Sequence, residues 1–321
     1  MAVSRKTDLV TPFWLPNGHL QTIFPALFRK VTGVTYTRQR IETPDQDFLD
    51  LDWSFAANKS NKIVILSHGL EGNSTKQYIV GMVKLLNQQG YDCLAWNYRS
   101  CSGEMNHTSG FYHSGATDDL DLVVEKAMEK GYQEIYLMGF SLGGNLTLKY
   151  LGEKWRKRSA RLQKAVVFSV PMDLKACSLS IIKWENRVYM HRFLNTLRPK
   201  VDAKSKLFPD KIDLKRSHLV KTLYDFDDIY TAPLHGFENA SHYYEKCSSQ
   251  FFVQDIEIPT LIVNAENDPI VPGSSLPQDL ISTLHNVQLE LTKHGGHCGF
   301  RQANLSDETY WSERRALDFI S

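Results

Sequence analysis

Apolar and polar positions along the chain repeat with two spacings that alternate. Short apolar runs rich in β-branched and aromatic residues are followed by longer segments whose apolar residues lie three or four positions apart. The runs predict strands at residues 34–42, 48–55, 62–67, 92–96, 134–138, 164–169, 258–265 and 287–291. The longer segments predict helices at residues 78–89, 117–130, 179–197, 218–228 and 307–320, and a further helix after residue 141.

The order of these elements indicates an α/β fold. The first two strands flank a Thr-Pro-Asp turn, and the apolar residues of 48–55 largely alternate, which predicts an antiparallel pair. Residues 62–67 are almost continuously apolar, as expected for a central parallel strand buried on both faces. Strand and helix alternate from there, so we expect a mainly parallel sheet with antiparallel N-terminal strands. Binding sites in such sheets lie at the carboxyl ends of the strands.

Residues 172–250 interrupt this alternation. We interpret the segment as a helical lid inserted into one structural domain, whose core comprises residues 1–171 and 251–321. The loops between its helical patterns are predicted around Pro199, Pro209 and Pro233.

The strand at 134–138 runs directly into Gly139-Phe140-Ser141-Leu142-Gly143. A G-x-S-x-G sequence between a strand and a helix is typical of a nucleophile elbow, in which the two glycines avoid collisions with neighbouring backbone. The turn lifts the Ser141 hydroxyl out of the sheet and leaves the Leu142 amide at a helix N-terminus, where negative charge is favoured. Ser141 is therefore the predicted nucleophile, with an ordinary Gly-rich turn as the alternative.

A serine hydroxyl is a weak nucleophile at neutral pH and needs a base that an acid holds in one tautomer. Elbow enzymes place serine, acid and histidine in that chain order, which Ser141, Asp268 and His297 supply. Asp173 is the second candidate for the acid, although it is equally suited to capping a helix. His294 competes with His297 as the base, and the two glycines before His297 favour the latter.

The loop after residues 62–67 reads His68-Gly69-Leu70-Glu71-Gly72. In elbow enzymes this loop supplies the second backbone donor to the oxyanion, beside the amide that follows the nucleophile. We therefore expect the N–H groups of Leu70 and Leu142 to form the oxyanion hole. His68 is assigned a structural role.

Two clusters have the residue types of a metal site. Asp118, Asp119 and Asp121 open the helix predicted at 117–130, where an acidic first turn complementing the helix dipole is the alternative to a metal cluster. The His-Gly-Gly-His sequence that ends at His297 has no third ligand of suitable spacing. We expect neither a metal nor a cofactor.

Composition narrows the possible partners and compartment. The 321 residues carry a net charge of +1, so nothing argues for nucleic acid. The five cysteines contain no C-x-x-C pair, which suits reduced thiols in a cytoplasmic protein. We find no signal peptide and no apolar stretch near the roughly 20 residues that cross a bilayer.

Two surface segments are open to two interpretations. Residues 11–30 are aromatic and bounded by prolines, which fits either packing on the domain edge or a wall of an acyl pocket or membrane-facing patch. His19 within it is assigned a structural role. Residues 200–221 hold seven Lys or Arg against three Asp, which fits a solvated face or an approach to anionic headgroups.

Several motifs together resemble a known family. They are Pro16-Asn17-Gly18-His19-Leu20-Gln21-Thr22, His68-Gly69-Leu70-Glu71-Gly72, Asn97-Tyr98-Arg99, Gly139-Phe140-Ser141-Leu142-Gly143-Gly144-Asn145 and Gly296-His297-Cys298-Gly299-Phe300. With these motifs the chain is similar to the YheT-like α/β hydrolases, also called AB-hydrolase family 4. The resemblance implies an α/β-hydrolase fold and an esterase with Ser141, Asp268 and His297 as its triad. It also implies similarity to carboxylesterases, monoacylglycerol lipases, phospholipases and fatty-acid ethyl-ester synthases.

The expected function is a serine carboxylester hydrolase that acts through an acyl-enzyme on short- to medium-chain acyl esters, including lipid esters such as monoacylglycerol. An acyltransferase or phospholipase with the same triad is the alternative, and a binding protein that retains the fold is a third. The expected partner is a small-molecule ester, with transient contact with a lipid surface.

Overall fold

The computed structural model describes residues 3–4, 7–153, 161–303 and 309–321. Within them, nine strands form one sheet in the order β1-β9-β8-β7-β6-β4-β5-β3-β2. The strands are β1 Val3–Ser4, β2 Thr37–Glu42, β3 Phe48–Ser54, β4 Lys62–Ser67, β5 Asp92–Asn97, β6 Glu134–Phe140, β7 Leu162–Phe168, β8 Thr260–Ala265 and β9 Val287–Thr292.

The sheet is parallel except at its N-terminal edge. Strand β3 pairs antiparallel with both β2 and β5, whereas β4 pairs parallel with β5 and β6, and the series continues in parallel through β7, β8 and β9. The predicted fold class is therefore confirmed. The two-residue strand β1, which lies parallel to β9, was not predicted because so short a run has no readable period.

Helices cover both faces of the sheet. They are α1 Gly18–Phe28, α2 Gln77–Gln88, α3 Thr117–Glu129, α4 Leu142–Glu153, α5 Leu174–Ile181, α6 Arg187–Leu207, α7 Leu223–Phe226, α8 Ala232–Leu234, α9 Ala240–Cys247, α10 Gln278–Ser282 and α11 Trp311–Ile320. In β4, Ile63 and Ile65 face one core beneath α3 and α4, while Val64 and Leu66 face a second core beneath α2 and α11. Successive side chains of a strand point to opposite faces, which explains the continuous apolar run.

The segment between β7 and β8 is helical, but its elements differ from those predicted. The helix expected at 179–197 is two helices, α5 and α6, because the chain turns at Trp184–Asn186. The Asn186 amide donates to the carbonyls of Ser180 (3.0 Å) and Pro269 (2.6 Å), which fixes that turn. The helix expected at 218–228 shrinks to α7, followed by a π-helical turn at Asp227–Thr231.

Two of the three prolines in this segment lie inside helices rather than in loops. Pro199 is within α6, which continues to Leu207 despite the amide donor that proline lacks. Beyond it, the buried Nζ of Lys204 donates to the carbonyls of Thr108 and Gly110, so tertiary contacts hold the second half of α6. Pro233 lies in the first turn of α8, which begins at Ala232, and its fixed φ is compatible with that position.

The last helix, α11, forms an ion pair with the residue that ends α1. Its predicted start at residue 307 lies outside the described residues, and α11 begins at Trp311. Arg29, which caps α1, contacts Glu313 of α11 through Nη1–Oε1 and Nη2–Oε2 distances of 2.6 and 3.0 Å. The two side chains are only 6% and 2% exposed, so this contact compensates two charges that are largely removed from water.

We predict that Glu313→Ala lowers the free energy of unfolding by about 3–5 kcal/mol, because it leaves a buried guanidinium without this carboxylate. Urea denaturation of the purified protein measures the change. Glu185→Ala removes an exposed carboxylate and serves as the matched control, with an expected change within about 0.5 kcal/mol. Equal effects of the two substitutions would contradict the assigned role of the ion pair.

Candidate active site

The nucleophile elbow has the geometry that its sequence predicts. Ser141 lies between β6 and α4 with φ +54°, a left-handed conformation that a non-glycine residue rarely adopts. A side chain at Gly139 would overlap the carbonyl of Gly143, and one at Gly143 would overlap the carbonyl of Ser67. Close packing of backbone therefore fixes the strained turn and points the serine out of the sheet.

Ser141, His297 and Asp268 form one hydrogen-bonded chain. Nε2 of His297 lies 2.8 Å from Oγ of Ser141, and Nδ1 of His297 lies 2.9 Å from Oδ2 of Asp268. The other carboxylate oxygen of Asp268 accepts from the amides of Ile270 (2.8 Å) and Val271 (3.0 Å). With Nδ1–H donated to the carboxylate, the Nε2 lone pair is directed at the serine hydroxyl.

The structure puts the competing candidates elsewhere. Asp173 caps α5, and its carboxylate accepts from the amide of Ala176 at 3.0 Å. Nδ1 of His294 lies 3.5 Å from Nδ2 of Asn267, so this ring contacts the loop after β8 rather than the serine. Of the candidates named from the sequence, Asp268 and His297 contact each other, and His297 contacts Ser141.

The histidine loop is held by α1, a role that the sequence reasoning missed. The side-chain oxygen of Gln21 accepts from the amide of Gly295 at 2.7 Å, and Oγ1 of Thr22 accepts from the amide of His297 at 2.8 Å. A side chain at Gly18 would overlap the carbonyl of Asn267. The Asn-Gly-His-Leu-Gln-Thr motif was the sequence feature that could have indicated this role. Its partners could not be identified from the sequence, because they lie more than 240 positions away in the chain.

Two backbone amides are available beside the serine. In the described residues, neither the N–H of Leu70 nor that of Leu142 has a hydrogen-bond partner. Gly69 approaches the serine so closely that an added side-chain carbon would lie 3.2 Å from Cβ of Ser141. These are the two amides that the sequence predicts as oxyanion donors.

Polar contacts immobilise the loop that carries Leu70. Glu71 has φ +54°, and its amide donates to the Tyr112 hydroxyl, which donates in turn to Oε1 of Glu71, both at 2.8 Å. Nζ of Lys200, from α6, donates to the same oxygen at 2.8 Å. His68 accepts from the amide of Tyr98 at 3.3 Å, and full burial lowers its pKa to about 3, so it is a neutral structural residue.

Two cavities open from the serine. The apolar cavity has about 1060 Å³ of space, part of it open to solvent, and lies under the helices between β7 and β8. Its walls include Leu142, Leu174, Ile181, Leu197, Leu223 and Phe226. The basic cavity has about 980 Å³ and is walled by α1, the start of α2 and α6, including Thr22, Ile23, Lys76, Tyr78, Tyr189 and Arg192. Ser141, His297, Leu70 and Glu71 border both.

Titratable side chains also line the apolar cavity, among them Asp227, His113 and His235. The enclosure of Asp227 raises the pKa of its carboxyl to about 6, although the hydroxyls of Thr231 and Tyr244 each donate to it at 2.7 Å. The rings of His113 and His235 lie 4.4 Å apart, and burial lowers the pKa of both, to about 4 for His235. Both imidazoles are therefore neutral at pH 7.

The remaining charged clusters have structural partners. Asp119 binds the Arg99 guanidinium, with Nη2–Oδ1 at 2.8 Å, and no group of three His, Cys, Asp or Glu among the described residues could hold a metal ion. In the basic segment 200–221, Lys200 and Lys204 point inward to protein partners, so the solvated-face interpretation is wrong for these two. The five Lys and Arg that follow Lys204 are exposed.

The structure gives three further observations on segments and residues that the sequence singled out. Residues 11–30 contribute the wall of the basic cavity through α1, while Phe13, Leu27 and Phe28 remain exposed. Across the described ranges, every helix is too short or too polar to cross a membrane. The five cysteines are free thiols, four of them buried.

Comparisons with known proteins agree with the fold. The family model for the alpha/beta hydrolase fold matches residues 62–303. YheT of Escherichia coli (strain K12), which is named as a candidate esterase, is 34% identical over 95% of this chain and 90% of its own. Human phospholipase ABHD3 is 28% identical over 96% of this chain and 77% of its own.

A solved structure with the same architecture is the esterase Pf2001 of Pyrococcus furiosus. It superposes with a TM-score of 0.58 at 17% identity and covers 100% of this chain and 98% of its own. At that identity the likeness concerns the fold alone. The family model spans most of the chain and the similarity to YheT runs along nearly all of it. The protein therefore belongs to the α/β hydrolase family, as an esterase- or lipase-type hydrolase.

Proposed function

We propose that the protein is a serine carboxylester hydrolase that cleaves short- to medium-chain acyl esters through an acyl-enzyme on Ser141. The observation that carries the proposal is the chain of two hydrogen bonds, 2.8 and 2.9 Å long, from Ser141 through His297 to Asp268. It lies beside two unpaired amides, which is the arrangement that acyl transfer requires.

The first half of the reaction forms the acyl-enzyme. Oγ of Ser141 attacks the acyl carbonyl carbon while Nε2 of His297 accepts its proton, and the carbonyl electron pair moves to oxygen. The amides of Leu70 and Leu142 donate to that oxyanion. When the carbonyl re-forms, the bond to the alcohol oxygen breaks, and His297 transfers its proton to the leaving alcohol.

The second half releases the acid. His297 removes a proton from water, the hydroxide adds to the acyl carbon, and the same two amides bind the second oxyanion. Collapse breaks the bond to Oγ, which takes the proton back from His297. Asp268 remains ionised throughout and stabilises the imidazolium.

The walls of the two cavities support an acyl ester as substrate. An ester bound with its carbonyl carbon at Ser141 has an acyl arm and an alcohol arm, and two cavities diverge from that point. The apolar cavity suits an alkyl chain, because burial of apolar surface is favourable by about 25 cal/mol per Å². We assign residues 172–250 the role of a lid over it and propose a cytoplasmic location, which suits the free cysteines.

We predict that a fluorophosphonate probe labels the wild-type protein and that Ser141→Ala abolishes the labelling, because Oγ is the attacking atom. Ester turnover should fall by about 10⁴-fold or more. Ser178→Ala removes a second serine hydroxyl from the same cavity and is the matched control, which should keep its labelling. Labelling that persists in Ser141→Ala would move the nucleophile elsewhere, and a folded wild type that never labels would favour a binding protein.

We predict that Asp268→Asn lowers kcat for a p-nitrophenyl ester by about 10⁴-fold, since the amide favours the wrong tautomer of His297. Asp173→Asn should leave kcat within a few fold, because asparagine also caps a helix. Steady-state kinetics of the two variants tests the assignment. A larger loss in Asp173→Asn would assign the acid to the earlier strand.

We predict a stability difference that depends on pH for Asp227→Asn. The carboxyl pKa of about 6 in the folded protein exceeds its ordinary value of 3.8, so the folded state binds more protons between these values. Wild-type stability should therefore fall as the pH rises from about 4 to 6, by up to about 3 kcal/mol, whereas the variant lacks this contribution to the slope. Urea unfolding at several pH values measures both curves, and parallel curves would refute the prediction.

A further inference from the structure

The basic cavity contains two cations that the catalytic chemistry does not use. Lys76 precedes the first turn of α2, and Arg192 lies on α6, so the two side chains reach the cavity from different elements. In the part of the chain that the structure describes, neither forms an ion pair with a carboxylate. Lys76 is partly buried, and that burial, followed by the charge of Arg192, lowers its pKa. Arg192 is solvent-exposed and lies at the rim of the cavity.

The carboxylate of this cavity is already occupied. Glu71 is the acidic residue among those that line it, and its Oε1 accepts from Nζ of Lys200 at 2.8 Å and from the Tyr112 hydroxyl at 2.8 Å. The Glu71 side chain is only 7% exposed. Glu71 is paired with Lys200, and its charge also acts on Lys76, where it opposes the lowering of the pKa. One carboxylate therefore faces three cations, Lys200, Lys76 and Arg192, which leaves an excess of positive charge at this end of the site.

The two cavities differ in what they can accommodate. Covering an unpaired cation with an alkyl chain removes water from the charge without replacing it, which is unfavourable. An acyl chain therefore belongs in the apolar cavity, and the alcohol arm of the same ester extends into the basic cavity. An anionic group on that alcohol would supply the missing charge.

We propose that Lys76 and Arg192 form a subsite for a phosphate monoester on the alcohol portion of the substrate. This inference rests on the proposed function and names its substrate class: acyl esters of a phosphorylated alcohol. A phosphate monoester carries a charge of about −1.5 to −2 at pH 7 and three acceptor oxygens, which matches two cations better than a carboxylate does. The planar Arg192 guanidinium is suited to bidentate contact with two of these oxygens, and the Lys76 ammonium to the third.

The test compares three esters with the same octanoyl chain, all used below the concentration at which they aggregate. Their alcohols are glycerol, glycerate and glycerol 3-phosphate, so only the anionic group changes. We expect the wild-type kcat/KM to be about 10- to 100-fold higher for the phosphate ester than for the neutral ester, mainly through KM. The glycerate ester should fall between them.

The combined Lys76→Gln and Arg192→Gln variant should lower this ratio to near one, whereas Lys76→Arg keeps the charge and should retain most of the preference. Lys183→Gln with Arg187→Gln is the matched control. It removes the same charge from exposed positions just before Arg192 that line neither cavity. The control should keep the full preference for the phosphate ester.

Contrary outcomes separate the inference from the proposed function. Turnover of the neutral ester without a preference for phosphate, or a preference that survives the combined Gln variant, would overturn the subsite alone. A stronger preference for the glycerate ester would overturn the assignment to phosphate. Failure to hydrolyse any of the three esters, together with absent labelling of Ser141 by the fluorophosphonate probe, would overturn the proposed function and the subsite with it.

Discussion

The hydrogen bond between His297 and Ser141 is the contact on which the rest of the site depends. It joins side chains 156 positions apart, so three separate loops must be held at one edge of the sheet. Backbone packing fixes the serine, two amides fix Asp268, and Gln21 and Thr22 of α1 fix the histidine loop. In the proposed reaction, preorganisation of this kind lets a weakly nucleophilic hydroxyl react without rearrangement of the protein.

Helix α6 connects this centre to the helices above it. Lys200 binds Glu71 next to a proposed oxyanion donor, and Lys204 binds two carbonyls of the loop at residues 108–110. A lysine removed from water is stable only with well-placed acceptors, so these contacts allow few alternative positions of the helix. The position of α6 thereby affects the shape of both cavities and the position of the loop that carries Leu70.

The two cavities that meet at Ser141 differ in polarity. The cavity walls are apolar on one side of the serine, and Lys76 and Arg192 lie on the other side. In the proposed function this difference distinguishes the acyl arm of an ester from its alcohol arm. The excess of Lys and Arg predicted that residues 200–221 lie at the surface, yet Lys200 and Lys204 point inward. Charge counts along a sequence cannot identify such partners, because the acceptors lie about a hundred positions or more away.

The sequence by itself determined the alternation of strands and helices, the elbow at Ser141 and the order of the three candidate side chains. Those features follow from local rules: the period of apolar residues, the steric limits at two glycines and the placement of polar residues after strands. Only the tertiary structure placed His297, rather than His294, in contact with Ser141, broke the helix expected at 179–197, and brought α1 against the histidine loop. Each of these features depends on contacts between segments that are far apart in the chain. The energies of such contacts outweigh local propensity, and they cannot be read from any short stretch of sequence.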